Sequence, residues 1–277
     1  MKEIHVLWTG GMDSTFRVVF LSRLPVRIIP YYIITDLEFR KSNENELNAI
    51  NSITQILREH KDTKCVLEDI ILITRDQIPH KKDISDAFQS LQDRTNEMNK
   101  SILKKWNFKT QAKGIHAYIV PYLMASQYED CALLAYARNL SELEIGLAGD
   151  EPSIIKTVTK LGGIFKKIEM DIIGDNYILD FDDNASDLKT IFKNFSFPML
   201  KTLKMDNEEF LLENGYEEIS KLTWFCYTPI EGNKPCGTCI PCCAKIREGF
   251  LNKFSDKALE DNKKLVTYLD KIRNRFE

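Results

Sequence analysis

The apolar positions of the first 150 residues alternate between two rhythms. Residues 4–8 form a short dense run (Ile4, Val6, Leu7, Trp8) that predicts a buried strand, and residues 26–34 form a second, rich in Ile and Tyr. Between them a two-glycine turn leads into a predicted helix over 13–23. Residues 44–59 carry Leu47, Ile50, Ile53 and Ile56 at helical spacing. A third strand is expected over 66–74, a polar helix that can project from the core over 86–106, a strong helix over 118–138 and a fourth strand over 143–147. Strand and helix in alternation predict an α/β fold, a doubly wound parallel sheet with helices on both faces. Such a sheet takes ligands at the carboxyl ends of its strands.

Past Gly149 the rhythm breaks. Residues 176–181 read as a strand or an irregular connection, 187–194 and 207–214 as short helices, and 258–276 as a terminal helix with Leu259, Leu265, Leu269 and Ile272 inward. The expected division is an α/β domain over 1–195 and an extension over 196–277.

Composition narrows the class. The 277 residues are 43% hydrophobic and 29% charged with a net charge of -3, which suits a globular chain and offers no general attraction for nucleic acid. The basic pairs Lys104–Lys105 and Lys166–Lys167 are too short to alter that. No apolar run reaches the ~18 residues of a membrane span. The opening residues run straight into a strand with no leader pattern, which predicts a cytoplasmic protein. Of seven cysteines, four cluster near the end, a pattern of metal binding in a reducing compartment. Cys65 and Cys131 read as core residues, and His5, His60, His80 and His116 are scattered without metal spacing. Glu44 and Glu46 suit the start of their helix, while Gln127, Tyr128 and Glu129 either face a ligand or form a polar helix side.

Two segments carry chemistry. The first is Thr9, Gly10, Gly11, Met12, Asp13, Ser14 and Thr15, between the first strand and the first helix. Glycines let backbone approach an anion, N–H groups at a helix start point at it, and Thr9 and Ser14 add hydroxyls. Asp13 beside an anion implies either Mg²⁺ or a helix cap. The second is Cys226, Cys236, Cys239 and Cys242, the last three spaced C-x-x-C-x-x-C. Four thiolates suit one tetrahedral, structural Zn²⁺, an iron–sulfur cluster being the rival. Cys243 is an alternative to Cys242, and Lys234, Lys245 and Arg247 are candidates to offset the sulfur charge.

The first segment resembles the S-G-G-x-D-S signature of the PP-loop ATP pyrophosphatases, with Thr9 in place of serine. Together with Thr223-Trp-Phe-Cys-Tyr227, Cys236-Gly-Thr-Cys-Ile-Pro-Cys242 and Arg247-Glu-Gly-Phe250, it resembles the 7-cyano-7-deazaguanine synthase family, with Arg247 two residues beyond a strict match. Phe197-Pro198 and Leu203-Lys204 are similar to the stretch that precedes that family's metal loop. The resemblance lies at these islands of the chain.

It implies an adenine-nucleotide hydrolase-like fold and a ligase that adenylates 7-carboxy-7-deazaguanine with ATP, forms an amide from ammonia and then a nitrile. By the same resemblance Gly10, Gly11, Asp13 and Ser14 hold pyrophosphate and Mg²⁺, and Asp13, Ser14 and Lys204 form the catalytic set. Arg40 is a candidate at the sheet's carboxyl edge, and a homodimer is expected. The stretches at 35–42 and 146–150 depart from the family, so stopping at the amide, or another amine acceptor such as a protein, are the alternatives. A tRNA-modifying enzyme and a non-catalytic nucleotide binder are the rivals from other classes.

Overall fold

A computed structural model describes residues 1–34, 41–105, 121–149, 152–170, 172–182 and 185–273. Eight strands form one sheet: β1 (Lys2–Leu7), β2 (Val26–Ile34), β3 (Val66–Leu67), β4 (Ile71–Thr74), β5 (Leu143–Ile145), β6 (Gly163–Met170), β7 (Gly174–Phe181) and β8 (Phe195–Ser196). Their order is β3-β2-β1-β5-β8-β7-β6, with β4 also beside β2. The expected third strand is thus two short strands, both parallel to β2, one at each end of it.

Helices flank the sheet: α1 (Met12–Ser22), α2 (Asn43–Glu59), α3 (Lys82–Lys105), α4 (Gln127–Ala137), α5 (Pro152–Lys160), α6 (Ser186–Phe192), α7 (Lys204–Glu213), α8 (Glu217–Leu222), α9 (Ile240–Arg247) and α10 (Asp256–Arg273). The period-two alternation of the strands separates the two faces. Ile4, Val6 and Trp8 of the first strand segment, with Val26, Ile28 and Tyr32 of β2, pack with residues of α1, α2, α7 and α8. Leu7 and Tyr31 point the other way, into a core built with residues of α3, α4 and α6. A buried ion pair ties the first layer to the sheet. Arg17 of α1 donates through Nε and Nη2 to both oxygens of Glu144 in β5, each at 2.7 Å, and through Nη1 to the Ile173 carbonyl at 3.2 Å.

Three expectations change. The sheet is mixed: β1, β2, β3, β4, β5 and β8 run parallel where paired, but β7 is antiparallel to both β6 and β8. The β6–β7 hairpin forms an edge whose outer strand presents Lys166 and Lys167 to solvent, which discourages further pairing. The helix expected over 118–138 begins only at Gln127. Before it, the Tyr122 carbonyl accepts from Asn99 Nδ2 at 2.8 Å and the Leu123 amide donates to Thr157 Oγ1 at 2.8 Å, so these backbone groups satisfy themselves outside a helix. The expected boundary at 195/196 falls within β8. Met199, Leu211, Tyr216 and Ile219 beyond it share the core of Val18, Leu21 and Ile53. Among the described residues no helix is long and apolar enough to cross a membrane.

The order 3-2-1-5-8 moves outward from β1 in one direction and then returns to its other side. The carboxyl ends of β1 and β5 are therefore a topological switch point, where open α/β sheets form a crevice.

Candidate functional site

The turn after β1 lies at this switch point. Gly10 has φ +68°, and a Cβ there would stand 2.8 Å from the Glu46 carbonyl of α2. Gly11 is extended and caps α1 without a side-chain hydrogen bond. The Thr9 amide donates to Ser14 Oγ at 3.2 Å, the two hydroxyls lie 3.3 Å apart, and Ser14 Oγ reaches the Gly11 carbonyl at 3.4 Å. Thr15 points inward, accepting from Trp8 Nε1 at 3.0 Å, and Met12 is buried. Thr9 and Ser14 thus lie together on the turn, whereas Thr15 and Met12 serve the core.

The loop after β5 closes on the same turn. A Cβ on Gly146 would stand 2.8 Å from the Ser14 nitrogen, and one on Gly149 2.4 Å from the Leu200 carbonyl. The Gly149 amide also donates to the Thr202 carbonyl at 3.0 Å. This positions the segment leading to Lys204, the first residue of α7. The glycines of 146–149, a stretch set apart from the resembled family, are therefore contact points for the turn and for the residues after β8. Asp150 and Arg40 lie outside the described residues, as do residues 35–39 and 106–120.

Beneath the turn, Glu46 is almost wholly buried. Its carboxylate accepts from Tyr32 Oη at 2.8 Å and Ser42 Oγ at 2.5 Å, so it braces the α2 backbone against Gly10 rather than merely facing a helix dipole. Tyr128 packs on Phe192 with ring centres 5.3 Å apart, and Glu129 accepts from Ser85 Oγ at 2.7 Å; both belong to the helix packing of the opposite face.

Cys226, Cys236, Cys239 and Cys242 converge, with their sulfurs all within 4.8 Å of one another. Cys236 to Cys242 and Cys226 to Cys239 are each 3.9 Å apart, near the ~3.8 Å edge of a tetrahedron with Zn–S bonds of about 2.3 Å. This group can hold a metal such as zinc. Its surroundings suit thiolates. The Cys236 amide donates to Cys226 Sγ at 3.3 Å, and the Thr238 and Cys239 amides donate to Cys236 Sγ at 3.4 and 3.3 Å. Hydrogen bonds from Cys226, then Cys239 and Cys242, with Thr228 adding to them, hold the Cys236 thiol well below its ordinary range.

Cys243 lies outside the group. Its Sγ accepts from Asn262 Nδ2 of α10 at 3.0 Å and donates to the Gly237 carbonyl at 3.6 Å, a carbonyl that Asn262 also reaches at 2.8 Å. Gly237 is obligatory here: φ is +78°, and a Cβ would overlap the Ala258 carbonyl. The cationic side chains expected to offset the sulfur charge do not do so. Lys234 and Arg247 are exposed, and Lys245 turns onto the Phe250 ring at 3.7 Å and toward Glu248. The donors that face the sulfurs are short amides and hydroxyls, which reach without a long side chain.

The two segments meet. The Trp224 amide donates to the Gly10 carbonyl at 2.9 Å, its own carbonyl lies 3.5 Å from where a Gly11 Cβ would be, and its Nε1 donates to the Cys226 carbonyl at 2.8 Å. The chain that enters the cysteine group therefore lies along the glycine turn. The sequence offered Trp224 only as part of a motif; its role as the link depends on backbone that no side-chain pattern encodes.

Near the end of α9, Lys204 Nζ lies 3.5 Å from Glu248 Oε1 and Lys245 Nζ lies 3.7 Å from Glu248 Oε2. Lys253 Nζ reaches the Ser220 carbonyl at 2.8 Å and lies 3.9 Å from Glu208. Burial lowers the pKa of Lys245, which Glu248 and Asp13 oppose, and burial likewise lowers that of Lys253. Elsewhere, burial pushes the Cys65 thiol up to about 11 and raises Cys131 further, so neither is prepared as a nucleophile. His5 Nδ1 lies 3.1 Å from Tyr31 Oη, and His60 stacks on Tyr216 with ring centres 4.5 Å apart.

No protein-family model and no curated relative matches the chain. Among solved structures it is similar to a protein of Methanocaldococcus jannaschii described as a predicted subunit of tRNA methyltransferase. That protein is 16% identical, the match covers 84% of this chain and 95% of the other, and the TM-score is 0.22. The α/β assignment rests on the sheet and helices described above.

Proposed function

We propose that this chain is an ATP-dependent ligase that activates the carboxylate of 7-carboxy-7-deazaguanine and joins it to nitrogen. The carrying observation is the Trp224–Gly10 hydrogen bond, through which the cysteine segment and the glycine turn, the two parts of the family resemblance, form one structure at the sheet's switch point. Both proposed groups have residues that fit them. The turn has the parts of a phosphate site, because a left-handed Gly10 and an extended Gly11 lead into the N-terminus of α1 and the hydroxyls of Thr9 and Ser14 lie on it. The four sulfurs have the number and spacing for Zn²⁺ in a closed, structural role.

The chemistry follows from the poor electrophilicity of a carboxylate, whose leaving group would be oxide. A carboxylate oxygen attacks the α-phosphorus of ATP, the α–β P–O bond breaks, and pyrophosphate leaves. Ammonia then adds to the acyl carbon and AMP departs with the oxygen, giving the amide. A second activation of the amide oxygen, again with loss of AMP, gives the nitrile. In this scheme the backbone at Gly10 and Gly11 and the hydroxyls of Thr9 and Ser14 bind the departing pyrophosphate. Asp13 is the carboxylate that would hold Mg²⁺, and Lys204 balances developing phosphate charge. The amide-stopping form omits only the last step, and the alternative-amine form also has another amine in place of ammonia. A homodimer and a cytoplasmic location belong to the same reading.

Incubation of the protein with Mg-ATP, 7-carboxy-7-deazaguanine and ammonium, followed by AMP measurement and product mass, tests it. Amide or nitrile is the expected product. AMP release that requires tRNA, or none with any carboxylated deazapurine, overturns it.

A further inference from the structure

Lys245 is the least satisfied cation of the described residues. It is 94% buried (6% exposed), and its Nζ makes no hydrogen bond among those residues. It rests 3.7 Å above the Phe250 ring and 3.7 Å from Glu248 Oε2, an oxygen that is itself buried without a hydrogen bond. The other oxygen of that carboxylate lies 3.5 Å from Lys204 Nζ. Charge-assisted N–H···O bonds close to about 2.7–2.9 Å, so one carboxylate spans two ammonium groups, with a long hydrogen bond to Lys204 and none to Lys245. Gly146 abuts the Ser14 nitrogen and the nearby Gly149 amide bonds the Thr202 carbonyl, which brings the segment leading to Lys204 toward the helix start that follows the glycine turn; Asp13 there is among the charges acting on Lys245. Lys245 is brought there by α9, whose first turns contain Cys242 and whose N-cap is Cys239.

We propose that Lys245 is a phosphate-binding residue, forming with Lys204 a two-ammonium clamp for the phosphates of a nucleotide held at the start of α1, with Glu248 as the internal carboxylate that keeps the clamp charged and spaced until phosphate displaces it. This rests on the ATP-site reading. An ammonium on a rigid helix, already desolvated, gains more from a dianionic phosphate than an exposed lysine does, because the cost of burying it is met during folding. Glu248 is the movable member. Its side chain is more exposed than that of either lysine (23% of the side chain against 12% for Lys204 and 8% for Lys245), and it follows the last residue of α9.

The test is calorimetric titration of the full-length, zinc-loaded protein with inorganic pyrophosphate and with ATP. The wild type is expected to bind both, and Lys245→Met to weaken both about 10- to 100-fold, the loss of one charge-assisted contact. Lys245→Arg restores most of the affinity, and zinc content and melting temperature stay at wild-type values. Glu248→Gln, which keeps both lysines, is expected to bind pyrophosphate several-fold more tightly. If the wild type binds and Lys245→Met binds equally well, the clamp is wrong while the ATP-site reading stands. If the wild type binds neither ligand, the ATP-site reading itself fails. Should Lys245→Met lose its zinc or fail to fold, Glu248→Gln decides: unchanged or weaker binding overturns the clamp.

Discussion

Two helices of this protein start from an extended N-cap that a left-handed glycine precedes, by one residue at α1 and by two at α9, and they meet different partners. At α1, Gly10 takes φ +68° and the N-cap Gly11 has φ -76°, ψ 164°; at α9, Gly237 takes φ +78° and the N-cap Cys239 has φ -76°, ψ 164°. Neither N-cap makes a side-chain capping bond. At α9 the freed amides of Thr238 and Cys239 point at Cys236 Sγ, so the anion is the chain's own sulfur. At α1 the adjoining groups are the hydroxyls of Thr9 and Ser14, bonded to each other and to backbone. One turn brings its negative charge with it; the other holds neutral hydroxyls, which in the proposed function bind an anion from solution. On the proposed function, a left-handed glycine ahead of an extended N-cap serves twice as an anion site, and the side chains around it decide whether the anion is structural or a substrate.

Removing the metal from the second cradle gives the largest expected effect. A structural Zn²⁺ contributes on the order of 10 kcal/mol in small zinc domains. Chelation is expected to unfold the segment from 223 to 250, followed by zinc release and circular dichroism, and to abolish ATP binding through the Trp224–Gly10 link. ATP affinity that survives complete zinc loss would separate the two cradles.

Next comes Gly10→Ala. A left-handed residue with a Cβ costs about 2 kcal/mol, and here the new atom also meets the Glu46 carbonyl at 2.8 Å. The expected result is a melting temperature lower by several degrees and a loss of nucleotide binding with zinc content intact. Unchanged nucleotide affinity would show that the first cradle is only a turn.

Cys243→Ser is expected to keep full zinc occupancy at a cost of about 1 kcal/mol, since a hydroxyl can still accept from Asn262 and donate to Gly237. Cys242→Ser is expected to lose the metal, and zinc content measured by mass spectrometry compares the two.

The smallest effect is expected at Cys65. With a pKa of about 11, roughly one part in a thousand is thiolate at pH 8, and alkylation should quicken about tenfold per pH unit until the pH reaches that value. Rapid alkylation at pH 7, or inactivation of the AMP-forming reaction by it, would reopen thiol chemistry in the sheet domain.

The legible parts of the fold were those governed by local rules. Residues 26–34 read as a strand rich in Ile and Tyr, whose apolar residues are buried on both faces, and 44–59 read as a helix because Leu47, Ile50, Ile53 and Ile56 recur at helical spacing, Ile50 and Ile53 being buried with Leu57. The hairpin of β6 and β7 was not legible in this way. As an edge strand, β6 carries exposed Ile164, Lys166, Lys167 and Glu169, so burial imposes no clean alternation on it. The start of α4 was misplaced because Leu123 and Met124 extend the apolar pattern upstream, while the backbone there is held by Asn99 and Thr157, distant partners in sequence.

At the candidate site, residue type and spacing along the chain determined the four sulfurs and the glycine turn, because C-x-x-C geometry and a glycine-rich helix start are local properties of a few consecutive residues. Tertiary structure alone decided that Cys243 bonds Asn262 instead of joining the sulfurs, that Trp224 hydrogen-bonds Gly10, that Gly146 approaches Ser14, and that Lys245 faces Glu248 and Phe250 instead of the thiolates. Each of these depends on which surfaces the sheet order and helix packing bring together. Contacts between residues tens or hundreds of positions apart are set by the burial of the whole chain, and no local window contains them.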